Sequence, residues 1–363
     1  EIPSSVLADF SKLKNLQAPN FRDFRRAVTA KPERMFLVPS STFDNVKGKF
    51  PISFSIWHLA KKQIFDFIIA DVYAKDGSYY GTKNICSYDN EKGNIGSWVL
   101  SHKDEKGMRL GFMSNGRNDF QNQKLVYIIN KKEQMPTPRG WWVTPTNINI
   151  MCIFLAVRKV IPATWLNDRD QFLYPNDGWK TDLEFQSDCL AYTLFNNNIQ
   201  AAQGTNYWIP FTEQEVDAKE AFKSHFMSDF IRGKSKADLK KSQPVQQSLF
   251  ADTQQNGTST SCQASNAATQ QPNTPIAFSP EAQAVMEAGK ALWRYYHEQP
   301  EAIADAALYD IRLHFQGINE KGKMNTGSQD EHYNQLMGEL RQCLKVLAQK
   351  IEPKVYEYGF LKR

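Results

Sequence analysis

The sequence predicts an α/β protein with a helical end, and three observations carry that expectation. Residues 1–65 alternate apolar strand candidates with a helix. Residues 66–241 read as a mixed α+β region, and residues 276–363 hold three amphipathic helical stripes. Between the last two lies 242–275, rich in Gln, Ser, Thr, Asn and Pro, with Asp252 as its one charge and Phe250 as its one aromatic. Such a segment cannot bury enough apolar surface to offset the entropy of ordering it, so a flexible linker is expected there.

The first region begins with Val6–Phe10, a short apolar strand. Pro19-Asn20 then introduces a helix in which Phe21, Phe24 and Val28 are expected to face inward, with Arg22, Arg25 and Arg26 on the other side. Met35–Val38 is a continuous apolar run, as expected of a strand buried on both faces. From Phe50 to Trp57 the pattern alternates, with Ile52, Phe54 and Ile56 on one face and Ser53, Ser55 and Trp57 on the other. The intervening loop, Thr42–Lys49, carries an aromatic, Phe43, and two lysines, Lys47 and Lys49.

In the second region Asp76-Gly77 marks a hairpin turn between 67–73 and 79–85. Ile148–Val160 is apolar enough for a buried strand or helix. Gly93-Asn94-Ile95-Gly96 is a GxxG in a turn-like context, too little for a nucleotide site. Asp168-Arg169-Asp170 places two carboxylates on alternate positions, where ion pairing to Arg169 or nearby lysines is expected.

Beyond the linker, Ser279-Pro280 offers an N-cap and a first-turn proline to a helix with Val285, Ala288, Leu292 and Tyr296 on one face. Ile303, Ala307, Ile311 and Phe315 make a second stripe closed by Gly317. Ser328 with Glu331 forms a capping box before Leu336, Leu340, Leu344, Leu347 and Ile351, and Pro353 is expected to end the run. Together these read as a small helical domain, with His314 and His332 at its surface or core edge.

The net charge of +5 is unevenly placed: residues 1–65 alone carry +6. A concentrated basic surface is the footprint of a polyanion binder. The five cysteines are widely spaced without a CxxC, and the histidines show no HExxH, so neither a disulfide framework nor a metal site is indicated. A reducing cytoplasm fits that usage best. No apolar run reaches the ~18 residues of a membrane span. The chain opens Glu1-Ile2-Pro3 with no basic start and no Met, which suggests an excised or processed piece. There is no GxGxxG, no P-loop and no GxSxG.

The stretches VLADFSKLKNLQAPNFRDFRRAV and RMFLVPSSTFDNVKGKFPISFSIW resemble the part of an adenine-specific N6 DNA methyltransferase located after its catalytic Asn-Pro-Pro-Tyr motif. The group is that of type I modification-subunit-like methylases of restriction–modification systems. WLNDRDQFLYPNDGW, YWIPFTEQEV, SHFMSDFIRGK and the far end, from ALYDIRLHFQG to VYEYGFLKR, are similar to segments nearer the C-terminus of its large members.

The resemblance implies that 1–65 holds the terminal strands of a class I methyltransferase sheet and that 66–241 contributes to DNA or target recognition. It implies S-adenosylmethionine as methyl donor of the complete enzyme and double-stranded DNA as partner. Phe43 occupies the position of the aromatic that stacks on the flipped adenine. Lys47, Lys49, Arg22, Arg25 and Arg26 are the expected DNA-backbone contacts. The glycine-rich donor loop and Asn-Pro-Pro-Tyr are missing from these 363 residues. No catalytic residue is therefore expected in this chain, which would need the N-terminal catalytic portion or a separate subunit and would bind the cofactor only weakly alone. The alternative is a non-catalytic DNA-binding or specificity module acting beside a separate catalytic chain.

Overall fold

A computed structural model describes residues 5–88, 92–234 and 274–362. Most of the expected linker, 242–275, lies outside these residues.

The N-terminal sheet contains five strands: β1 Val6–Lys12, β2 Lys31–Pro39, β3 Pro51–His58, β4 Phe67–Tyr73 and β5 Tyr79–Cys86. Their order is β1-β3-β2-β4-β5, so the region expected to end at residue 65 continues through two more strands. β3 runs antiparallel between β1 and β2, which therefore point the same way. The expected hairpin is present, but only β2 and β4 pair in parallel. Gly77, at φ 84°, turns β4 into β5 with the Asp76 carboxylate accepting from the Ser78 amide at 3.0 Å.

Two short helices connect β1 to β2: α1 Lys14–Gln17 and α2 Arg22–Ala27. The faces of α2 depart from the expectation at Phe24, Val28 and Arg25, while Arg26 is exposed as expected. Phe24 and Val28 are 46% and 41% exposed, whereas Arg25 is 2% exposed. The cause is local. Arg25 Nη1 donates to the carbonyls of Ala18 (2.8 Å) and Asn15 (3.1 Å), so its charge satisfies the end of α1 and draws that face of α2 inward.

β3 is inverted in a similar way. Its buried face is the polar one. Ser53 Oγ donates to the Ser11 carbonyl at 3.0 Å and Ser55 Oγ to Asp9 Oδ1 at 2.7 Å, while Trp57 Nε1 donates to Ser55 Oγ at 2.9 Å. Met35 and Leu37 share this covered side with Leu13, Leu16, Val72 and Ile85, capped by Trp165 and Leu166. Ile52, Phe54 and Ile56, with Phe36 and Val38 of β2, are only half-buried on the other side. β2 is thus buried on one face rather than both.

The remainder forms one core. A second sheet, β6 Gly111–Asn115, β7 Val126–Ile129 and β8 Gly140–Val143, has the order β7-β6-β8. It packs on α4 Ile148–Lys159, the helix that the apolar run 148–160 becomes; every residue of α4 from Ile150 to Arg158 is buried. The same core takes in α5 Leu183–Leu194, α7 Pro280–His297, α8 Leu308–Gln316 and α9 Glu331–Glu357, with the short α3 Ile95–Leu100 and α6 Phe226–Ile231. One apolar cluster runs from Ile95 to Leu361. The C-terminal helices are therefore part of the middle region's core and not a separate domain.

Three helix boundaries differ from expectation. The N-cap of α9 is Asp330, whose carboxylate accepts from the Tyr333 amide at 2.8 Å, and Ser328 instead accepts from the Asp330 amide. Pro353 sits inside α9 without ending it. Fully buried Ile351 and Val355 lie on either side, and Lys354 ion-pairs with Asp182 at 3.2 Å, holding the last turns against α5's cap. The helix of the second stripe begins at Leu308, and Ile303 is 46% exposed before it.

His297 closes α7 at 3% exposure, with a buried Nε2 that has no hydrogen-bond partner among the described residues. Burial, aided by Lys219, lowers its pKa from the ordinary value. The folded state therefore prefers the neutral ring. Its contribution to stability is present above the unfolded pKa of about 6.5 and is lost as pH falls from there toward the lowered folded value. Urea titrations between pH 7 and pH 5 should show a steeper loss of stability for the natural chain than for His297→Gln. Identical slopes would disprove this.

Candidate nucleic-acid interface

The loop between β2 and β3 is built by its backbone. Ser40–Thr42 form a single 3-10 turn after Pro39, and the Phe43 amide donates to the Ser40 carbonyl at 3.2 Å. Ser40, 1% exposed, donates from Oγ to the Gly48 carbonyl at 2.7 Å and from its amide to the Phe50 carbonyl at 2.9 Å. The two ends are thereby pinned together. Asn45 (φ 65°) and Gly48 (φ 122°) take the left-handed conformations this tight return requires. A Cβ on Gly48 would lie 2.7 Å from the Phe50 ring.

Phe43 leaves this loop half-exposed, its ring 5.7 Å from that of Phe10 at an interplanar angle of 78°. Phe10 in turn lies 4.7 Å from Phe54. The edge-on contact positions Phe43 without stacking Phe10 on it. Lys47 and Lys49 are exposed and form no ion pair with a described residue. Lys12 stands 4.6 Å over the Phe50 ring. Sequence reasoning missed Lys12 and Phe10, although their i, i+2 spacing on β1 places them on one face.

The three arginines are not gathered there. Arg25 is buried, and its side chain is committed to α1 carbonyls, so it cannot reach a phosphate. Arg22 is half-buried, its Nε without a hydrogen-bond partner among the described residues, and Arg26 is exposed. β2 starts opposite His58 and ends opposite Pro51, which sets the α2–β2 turn and the Phe43 loop at opposite ends of the sheet. Arg26 thus lies roughly a strand length, about 25–30 Å, from that loop.

The other candidates resolve simply. Asp168 pairs with Arg169 at 3.1 Å and Asp170 with Lys83 at 2.6 Å, the ion pairing expected of that motif. Gln17 Nε2 also donates to Asp170 at 3.0 Å, so this carboxylate ties the N-terminal sheet to the larger core. Near the end of the 66–241 region, Arg232 pairs with Glu215 and Lys234 with Asp229, while Lys236, Lys240 and Lys241 of the same basic stretch lie outside the described residues. His314 and His332 are exposed. Cys152 is buried, which pushes its thiol up to about 12 and away from nucleophilic use. Among the described residues no group of three or more His, Cys, Asp or Glu could hold a metal ion, and no helix is long and apolar enough to cross a membrane.

Comparison of the chain with protein-family models, with curated proteins and with solved structures finds no match.

Proposed function

We propose that this chain is part of an adenine-N6 DNA methyltransferase of a restriction–modification system, in which the loop around Phe43 receives a flipped adenine. One observation supports this most: the N-terminal sheet leaves the apolar face of β3 and β1 open. Ser53 and Ser55 are 0% and 3% exposed, yet Ile52, Phe54 and Ile56 are only half-buried. On the same side β1 leaves Val6 and Phe10 59% and 62% exposed, and its outer edge pairs with no described strand. Free-standing sheets protect such edges with charge, proline or bulges and cover apolar faces with helices. An edge and a face left open together suit a sheet that another α/β portion completes. The catalytic portion takes that place, as preceding polypeptide or as a separate subunit.

In this reading the adenine leaves the duplex because its exocyclic amine cannot be reached inside the stack. Phe43 offers it a ring face, and Lys47 and Lys49 neutralise the flanking phosphates. S-adenosylmethionine supplies the methyl group in this family. The residues here do not fit it: the connection after β1 has fully buried Leu13 and no glycine, and the single glycine of the connection after β2, Gly48, is taken up by the tight return to Phe50. Donor binding and contact with the reacting amine therefore fall to the catalytic portion.

Titration calorimetry of this chain with S-adenosylmethionine should show no micromolar binding. Mixed or fused with a polypeptide carrying the glycine-rich loop and Asn-Pro-Pro-Tyr, it should support methylation of duplex DNA. Tight cofactor binding by this chain alone, or no methyl transfer by the assembled pair, would sink the reading.

A further inference from the structure

A second basic feature lies on the β7-β6-β8 sheet, well separated in sequence from the Phe43 loop. The chain leaves β6 through Asn115-Gly116-Arg117-Asn118-Asp119, and this loop is organised from beneath by one side chain. Arg158, 0% exposed in α4, donates to the carbonyls of Asn115 (3.2 Å), Arg117 and Asp119 (2.9 Å). Its guanidinium carbon lies 4.7 Å from the centre of the Phe172 ring. Burial lowers its pKa to about 9, so it remains charged at neutral pH.

With those carbonyls turned inward, the N–H on the far side of the Arg117–Asn118 peptide plane is directed away from Arg158. Arg117 itself adopts φ 59°, a conformation disfavoured for any residue with a Cβ. Its side chain is exposed and ion-pairs with no described residue. Arg139 comes alongside: its carbonyl accepts from the Asn115 amide at 3.1 Å, and its side chain is likewise exposed without an ion pair to a described residue. The nearest carboxylate of the loop, Asp119, is turned to Asn122, whose amide and Nδ2 donate to it at 3.2 and 2.7 Å.

We propose that this loop is a second DNA contact, in which Arg117 and Arg139 clasp a backbone phosphate. The inference rests on the reading that the chain binds DNA. A loop that holds a strained arginine with no ion pair to a described residue, on backbone bonded to that of a second such arginine, is costly as a surface decoration. It suits phosphate recognition, where the planar guanidinium fork bonds two oxygens at once.

Anisotropy of a labelled duplex with the full chain, across a range of salt, tests it. Arg117→Ala/Arg139→Ala should bind about tenfold more weakly, with the slope of log affinity against log salt reduced by about 0.9, the value for one phosphate. Arg117→Gly separates function from folding: it should raise Tm by relieving the backbone while still weakening DNA binding. Unchanged affinity and slope in the double variant, beside a natural chain that does bind DNA, would overturn this site and leave the methyltransferase reading standing. A natural chain that binds no DNA would overturn both. Calorimetry with inorganic phosphate distinguishes the source. Phosphate binding that the double variant loses while its DNA affinity stays intact would assign the loop to a small phosphate and overturn the DNA contact.

Discussion

Phe360→Ala, a change close to the C-terminus, is expected to destabilise the whole 95–361 core by about 3–5 kcal/mol, the range for truncating a buried aromatic. Phe360 is 0% exposed and lies edge-on to Trp98 of α3, ring centroids 5.3 Å apart at 78°. Trp98 meets Trp179 in the same manner at 5.4 Å. The backbone joins in, since Leu173 donates from its amide to the Phe360 carbonyl at 2.8 Å. Removing the ring thus opens a cavity shared by residues from three distant stretches of chain. Urea unfolding followed by tryptophan fluorescence and by far-UV circular dichroism should give one shifted transition seen equally by both probes. A biphasic curve in which only the helical signal moves would mean that 276–363 folds by itself, against the single core.

That contrast shows what was legible in the sequence and what was not. Helix existence was legible because the stripes of α7 and α9 repeat at helical spacing over many residues. Their partnership with α4 and α5 was not. An amphipathic stripe records that something covers it and does not record what, and the intervening polar segment reads like a domain boundary. Pro353 was misread for a related reason: a local breaking signal lost to the burial of Ile351 and Val355 on either side. In the sheet, strand positions were legible from alternation, but the buried face of β3 was not. Serines that bond to β1, and an arginine that caps α1, reversed the usual sense of apolar-in on β3 and α2. At the candidate interface, the Phe43, Lys47 and Lys49 loop could be picked out because its residues are contiguous. Lys12 and Phe10 reach it only through strand pairing, which no local spacing encodes.

The interface itself makes a prediction that separates its two components. Phe43→Ala should weaken binding of a duplex carrying an unpaired or mismatched adenine by about 5- to 150-fold, the equivalent of the ~1–3 kcal/mol that one aromatic–base stack contributes. A fully paired duplex gives that ring nothing to stack on until the base is extruded, so its affinity should change much less. Lys47→Ala/Lys49→Ala should act in the opposite pattern, weakening both duplexes alike and reducing the salt slope by about 1.8. Neither substitution should disturb the fold. Both lysines are exposed and unpaired among the described residues, and Phe43 is half-exposed against Phe10. If Phe43→Ala lowered Tm and weakened both duplexes to the same degree, Phe43 would be a plug under the hairpin supporting the loop. If the lysine pair altered one duplex and left the salt slope intact, their contacts would be to bases rather than phosphates. Discrimination by Phe43 together with uniform, salt-sensitive loss at Lys47 and Lys49 is the combination that a base-flipping loop requires, and a generic basic surface would not produce it.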